Sequence, residues 1–517
     1  MLRINCLSVI AMLWFLGVAL FASVFVIMFP FLEHIVDVGG GYSSKVMCTG
    51  VFLSNRSYSS IFENELAVGG SNLFIVPEVN WEEQSVSTSL FGLGNALSEM
   101  LHLPIRKAMY LGPQFGCQLQ VDNMASQGPL RNKEQIVTRK VSDDILAESP
   151  EGMEGLDLKC LRNFIAKDFG PEAIIRNQTR AIVISYQQRV IAEGYQEGMG
   201  ITASTPLLGW SMTKSVMAMI VGAAIQEGIL TLDTPLQLHD LSEAKKQYII
   251  TCNNGHPLLI RDLLIMNDVM WMDENYAIHR EVVQMLYGSF DMSQYTATVS
   301  THQQGPPPSP SPSSPSSPWA WYYSSAVSNL LAKELRSHFP SDDSYWAFPH
   351  SALFDKVGAS SFALEIDPSG TFVASSFGYA TGRDWTRLGE VLLAGGVWRG
   401  QQVLPQWYVD FMRTPHPASG GHYGGHIWLN AAGVSVEEYN RLPWNHPRKV
   451  QCQWITRALP ADAFYMSGHD GQFVFIMPSR QLVVSRLGFT HDEGGSVGYR
   501  GWDTEEFFST IVNKCTK

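Results

Sequence analysis

Basic residues are in short supply in this chain: Lys and Arg number 36 against 48 Asp and Glu over 517 residues, a formal net charge of −12 at pH 7. A nucleic-acid binder normally presents a basic face, so that class is set aside. Charge of either sign is low, at 16%, beside 45% hydrophobic residues. That balance suits a large apolar core and not a disordered chain. Internal repeats are absent. No C-x-x-C spacing suggests zinc, and no nucleotide-binding glycine motif follows a convincing strand. No metal or cofactor is therefore expected. His416, His422 and His426 are spaced like loose metal ligands, but Tyr423-Gly424-Gly425-His426-Ile427-Trp428 reads better as a glycine turn entering a strand.

Long hydrophobic runs are equally scarce, with one exception. After Arg3 the chain carries no charge until Glu33. An apolar run of this length suffices for a bilayer span of about 20 residues, and it exceeds the roughly 7–15 apolar residues of a cleavable signal. The expectation is an N-terminal transmembrane helix, a signal anchor over residues 1–33, contacting membrane. Arg3 before the span and Glu33 and Asp37 after it put the N-terminus in the cytosol and the rest outside it. Six cysteines follow: Cys48, Cys117, Cys160, Cys252, Cys452 and Cys515. Disulfides fit that side of a membrane, with their pairing left open. Asn55-Arg56-Ser57 and Asn177-Gln178-Thr179 are glycosylation sequons.

Residues 34–155 read as an N-terminal extension, and 156–515 as the main domain. Within the latter, about 230–350 reads as a helical subdomain. Thr179–Tyr186 is rich in β-branched residues, and with Val190-Ile191-Ala192 it predicts a hairpin. Gln472–Met477 and Gln481–Leu487, flanking Pro478-Ser479-Arg480, predict a second. Hairpins at both ends imply an antiparallel sheet. Ser211–Gln226 has helical spacing, with Met212, Val216, Met219, Ile220 and Ala223 near one face and Gly228 just beyond its end. The fold class is thus α/β (α+β): an antiparallel sheet flanked by helices, plus a mostly helical subdomain. Gly305–Pro318, with seven prolines in a Ser/Pro background, predicts an exposed extended loop.

The chemistry centres on Gly209-Trp210-Ser211-Met212-Thr213-Lys214. Ser-x-x-Lys opening a helix sets hydroxyl and ammonium on one face, one turn apart. A serine hydroxyl needs a base to become a nucleophile, and a lysine can serve only with a lowered pKa. Trp321-Tyr322-Tyr323-Ser324-Ser325 follows later in the chain, and Gly468-His469-Asp470-Gly471-Gln472 opens the C-terminal hairpin. Tyr322 and Tyr323 each offer a phenol, and Ser325 a hydroxyl. Asp273 and Glu274 beside Trp271 read as an exposed loop more than as cleft residues.

With these motifs in this order, the chain resembles the serine β-lactamase and penicillin-binding-protein superfamily. It looks closest to the class C β-lactamase-related branch that holds esterases and 6-aminohexanoate-dimer hydrolases. The resemblance covers about residues 155–510. It extends to Leu207-Leu208-Gly209-Trp210, to Leu263-Leu264-Ile265-Met266 and to the stretch from Ser375 to Trp385. It implies a β-lactamase/transpeptidase-like fold. It also implies a serine hydrolase cleaving amides or esters of a small molecule through an acyl-enzyme on Ser211. Lys214 and Tyr323, the latter as phenolate or as shuttle, would handle the proton; the resemblance sets its Tyr-x-Ser pattern on Tyr323-x-Ser325, with Leu330-Leu331 following at the family's distance, and leaves Tyr322 to packing. His469 would hydrogen-bond Tyr323 or the substrate. The N–H groups of Ser211 and Gln472 would form the oxyanion hole, with Gly471 allowing close approach and Ser325 lining the substrate site. Ser325 and His469 replace the asparagine and lysine of dedicated class C lactamases. The alternatives are a true β-lactamase or D-amino-acid peptidase, or an inactive scaffold of the same fold. Homo-oligomerisation stays open.

Overall fold

The computed structural model describes residues 33–67, 74–90, 92, 106–121, 156–170, 178–237, 256–266, 272–299, 321–419, 421–430, 458–490, 502 and 504–515. Strands are numbered β1 Ile75–Asn80, β2 Ser85–Leu90, β3 Lys107–Gly112, β4 Gly116–Gln120, β5 Thr179–Tyr186, β6 Arg189–Tyr195, β7 Leu207–Leu208, β8 Ala363–Leu364 and β9 Gly378–Ala380. The remainder are β10 Val397–Trp398, β11 Gln401–Gln402, β12 Trp428–Leu429, β13 Phe464–Gly468, β14 Gln472–Met477 and β15 Leu482–Gly488.

The main sheet is antiparallel, in the order β12-β13-β14-β15-β5-β6. Both expected hairpins are present: β5–β6 turns through Gln187 and Gln188, β14–β15 through Pro478–Arg480. They adjoin because β15 pairs with β5. Side chains alternate across a strand, so β14 feeds two cores at once. Phe473, Phe475 and Met477 pack with Leu161, Phe507 and Phe508 of the outer helices Leu158–Asp168 and Thr504–Asn513. Val474 and Ile476 face the Met212–Gln226 and Gly382–Leu393 helices on the other side. The sheet is therefore covered on both faces, which explains why β14 is an unbroken apolar run. A disulfide, Cys160–Cys515, ties the two outer helices together.

Met212–Gln226 differs from the one-faced helix expected: it is buried from Met212 through Ala224 on every side. It sits between the sheet and the helical region, whose elements include Glu281–Gly288, Ser325–Ser337 and Asp342–Pro349. A helix that is apolar all round belongs at the centre of a large domain.

Residues 33–48 form a helix. It leads into the four-stranded antiparallel sheet β1-β2-β3-β4, and Cys48–Cys117 links the helix end to β4. This N-terminal part is packed onto the rest of the protein. Lys45 forms a buried ion pair with Glu365, and the Glu365 carboxylate also accepts from Thr49 Oγ1 and Cys117 N, both at 2.7 Å. The mixed α/β architecture is as expected, but the transmembrane component is corrected. Among the described residues no helix is long and apolar enough to cross a membrane, and residues 1–32 lie outside those described. The 305–318 insert, Asn177, Cys252 and Cys452 also lie outside them.

Candidate active site

A small three-stranded sheet, β7-β9-β8, sets up the turn that carries Ser211. Leu208 pairs with Tyr379, and Gly209 N–H donates to Gly378 O at 2.8 Å. Trp210 then adopts φ +47°, a left-handed conformation that costs a bulky residue about 1–3 kcal/mol. The surroundings hold it there. Thr213 Oγ1 donates to Trp210 O at 2.6 Å and accepts from Gly378 N at 2.9 Å, while the indole is buried edge-on against Tyr276 and His469. Gly209 admits no Cβ, which would collide with the Trp385 ring, and a Cβ on Gly468 would collide with Gly209 O. This close contact brings the Gly468–Gln472 turn against the serine turn.

The reversal ends at Ser211, the N-cap of the Met212–Gln226 helix. Ser211 keeps partial exposure, whereas Lys214, one turn on, is only 1% exposed. Lys214 Nζ lies 3.1 Å from Ser211 Oγ, 3.0 Å from Ser325 Oγ and 2.9 Å from Ser375 O. The ammonium also sits over the Tyr323 ring, 5.0 Å from its centroid. The Tyr323 and Tyr276 hydroxyls both come within interaction reach of Ser211. Ser211, Glu274, Tyr276, Tyr323 and His469 all keep partial exposure, whereas Lys214 among them is buried.

Burial lowers the Lys214 pKa to about 8, against the opposing pull of Glu274. Burial likewise raises the Glu274 carboxyl, with Lys214 and Ser325 acting in the other direction. Tyr323 is pushed well above 10, chiefly by burial and then by Tyr423, with Ser211 opposing. A standing phenolate is therefore disfavoured, leaving Tyr323 a neutral phenol able to pass protons.

The structure thus brings Ser211, Lys214, Tyr323 and Ser325 together. His469 stacks flat on Tyr276, 4.3 Å between centroids, with Asp470 at 3.3 Å from its Nε2. Gly471 (φ +80°) carries the chain into β14. The Gln472 side chain is tied down, its Nε2 donating to His469 O, Asp470 O and Gly488 O. Tyr322 donates to Met272 O at 2.8 Å and is buried, in keeping with packing. His426 lies beneath the site, its ring nitrogens on Leu264 O and Ser328 Oγ; burial lowers its pKa to about 3. Among the described residues no cluster of His, Cys, Asp and Glu could hold a metal ion.

The reading of Asp273 and Glu274 as an exposed loop is corrected. Asp273 is buried and held by Arg280 at 3.0 Å. Glu274 accepts from Ser325 Oγ at 2.7 Å and Ser325 N at 2.5 Å. Tyr276 was not singled out from the sequence at all. The signal that could have found both is Asp273-Glu274-Asn275-Tyr276: two carboxylates and a phenol close behind an apolar helix, between the serine and tyrosine motifs.

No family model matches the chain, and no curated protein matches it. Among solved structures it is similar to a putative 6-aminohexanoate-dimer hydrolase from Bacillus anthracis, at 17% identity over 66% of this chain and 79% of that one, TM-score 0.43. It is also similar to a putative β-lactamase from Bacteroides dorei, at 14% identity over 70% and 99%, TM-score 0.46. A family VIII carboxylesterase is similar at 12% identity over 69% and 97%, TM-score 0.43. Likeness at this level carries no argument about activity; the geometry around Ser211 does.

Proposed function

We propose that this protein is a serine hydrolase that cleaves amide or ester bonds of a small molecule through an acyl-enzyme on Ser211. The observation that carries the reading is a partly exposed Ser211 whose hydroxyl lies 3.1 Å from a buried lysine amine with its pKa lowered to about 8. In the first step Ser211 Oγ bonds to the substrate carbonyl carbon while its proton passes to the neutral Lys214 amine. The developing oxyanion is met by the N–H groups of Ser211 and Gln472. Tyr323 then gives its proton to the leaving amine or alcohol as the acyl bond breaks, and is reprotonated from Lys214. Water attacks the acyl-enzyme by the reverse use of the same groups.

Ester or simple amide substrates are favoured over β-lactams by the state of Ser325. Its hydroxyl is engaged by Lys214 and Glu274. It is thus not free to bind an antibiotic's amide as the asparagine of dedicated lactamases does. A fluorophosphonate probe is expected to label the protein at Ser211, with labelling lost in Ser211→Ala. Absence of labelling in the unaltered protein sinks the reading. Parallel assays with p-nitrophenyl acyl esters, 6-aminohexanoate dimer and nitrocefin rank the substrate classes, and turnover of nitrocefin alone would reverse the preference stated here.

A further inference from the structure

Lys214 has three acceptors around one nitrogen: Ser211 Oγ, Ser325 Oγ and Ser375 O. An ammonium donates to all three. A neutral amine has only two N–H groups and one lone pair, so one of the three contacts must reverse polarity. Which one reverses decides whether the lysine can take the serine's proton. Ser375 O is a carbonyl and can only accept. Ser325 Oγ is a hydroxyl and could in principle do either, but its single proton is already given to Glu274 Oε2 at 2.7 Å. The Glu274 carboxylate is itself anchored, because its other oxygen takes the Ser325 backbone N–H. Ser325 Oγ is left as an acceptor, both N–H groups of the neutral amine are committed, and the lone pair has one direction left.

We infer that Glu274 is a positioning residue for the reaction proposed above: by holding the Ser325 proton, it aims the lone pair of neutral Lys214 at Ser211. The carboxylate never touches the reacting atoms. It acts through Ser325 on Lys214, much as an orienting acid acts on the tautomer of a catalytic imidazole. The groups facing Glu274 are consistent with that task. Lys214 comes from the Met212–Gln226 helix and Tyr323 from the segment before Ser325–Ser337. Tyr276 and Asp273 flank it on its own segment, and Asp273 is tied to Arg280. Lys214 is thus the cation among these groups that can exchange its proton with Ser211.

Glu274→Gln tests the inference because the substitution inverts polarity at constant shape. The glutamine must offer its oxygen to the Ser325 N–H, which turns its NH2 toward Ser325 Oγ. Ser325 then accepts from the amide, and its own proton is freed to bond the Lys214 lone pair and draw it off Ser211. The rate of fluorophosphonate labelling at Ser211 is expected to fall about 10²-fold in Glu274→Gln, at unchanged melting temperature. Its pH inflection is expected to move down by about one unit, since the lysine loses an anionic neighbour. Ser325→Ala removes the acceptor without inverting it and is expected to lose less. A Glu274→Gln protein that loses less than roughly tenfold, or loses less than Ser325→Ala, overturns the inference. The inference rests on Ser211 as nucleophile, so a second readout separates the two. Titration of Lys214 Nζ by lysine-selective 15N labelling needs no turnover and no label. An unlabelled Ser211 in the unaltered protein rejects the functional reading, whereas a Lys214 titration unmoved by Glu274→Gln rejects the orienting role of Glu274.

Discussion

Two lysines are buried among the described residues, and they are used in opposite ways. Lys45, 3% exposed, meets its carboxylate directly: it pairs with Glu365 and donates to Cys117 O at 3.2 Å. Lys214, 1% exposed, reaches a carboxylate only through the hydroxyl of Ser325. In both cases burial lowers the lysine pKa and a carboxylate opposes it. What differs is the spacing. A direct pair in a closed environment holds the charge in place and joins the 33–48 helix to the strand region around β8. A hydroxyl set between the charges leaves the amine satisfied in either protonation state, with one contact on a partly exposed serine. The first arrangement suits stability and the second suits proton transfer.

The sharpest way to break the contrast is to remove each lysine in turn. Lys45→Met leaves Glu365 as an uncompensated buried charge and is expected to cost about 3–5 kcal/mol of stability, read by denaturant unfolding. Lys214→Met is expected to shift the melting temperature little while lowering the rate of Ser211 labelling by about 10²–10⁴-fold. Similar stability losses in both variants would erase the distinction. Tyr323→Phe comes next. Losing the proton donor to the leaving group is expected to slow amide turnover by about 10²-fold. Activated esters, whose leaving groups need no proton, should suffer less; equal losses on both would contradict the shuttle role.

Glu390 gives the smallest effect and serves as the control, a buried carboxyl whose shift has no cation among its causes. Ser185 and Gln188 hydrogen-bond it, yet burial raises its pKa from 4.5 to about 7. A carboxyl raised on folding contributes stability that is full below pH 4.5 and is lost as pH rises through about 7. Glu390→Gln should therefore be more stable than the unaltered protein above pH 7, by at most roughly 3 kcal/mol. It should gain nothing near pH 4. Thermal melts at pH 4.5 and 8 check the sign.

The parts of this account that sequence reveals are local ones. Ser211 and Lys214 lie one helical turn apart, so their contact follows from helix geometry. The β5–β6 and β14–β15 hairpins follow from apolar runs around short turns. Tyr323 is not local in this sense and was within reach only through the resemblance, which implies a tyrosine motif after Ser-x-x-Lys. What escaped depends on distant partners. Glu365 is 320 residues from Lys45, and nothing in either neighbourhood announces the pair. Glu274 is 51 residues from Ser325, and beside Asp273 it reads as a solvated turn. The Met212–Gln226 helix read as one-faced from the spacing of its apolar residues, whereas polar Thr213, Lys214 and Ser215 each have a buried hydrogen-bond partner as well. The apolar N-terminal run was read as a membrane span, and no helix among the described residues meets that requirement.

The central claim is that Ser211 reacts because the neutral form of buried Lys214, made accessible by its lowered pKa, takes its proton. The most direct measurement is the rate of covalent fluorophosphonate labelling at Ser211 as a function of pH. The account predicts a rate that climbs with pH, passes its midpoint near 8 and levels off above it, following the Lys214 pKa, with both inflection and plateau lost in Lys214→Met. A flat profile, or an inflection that survives in Lys214→Met, would contradict it.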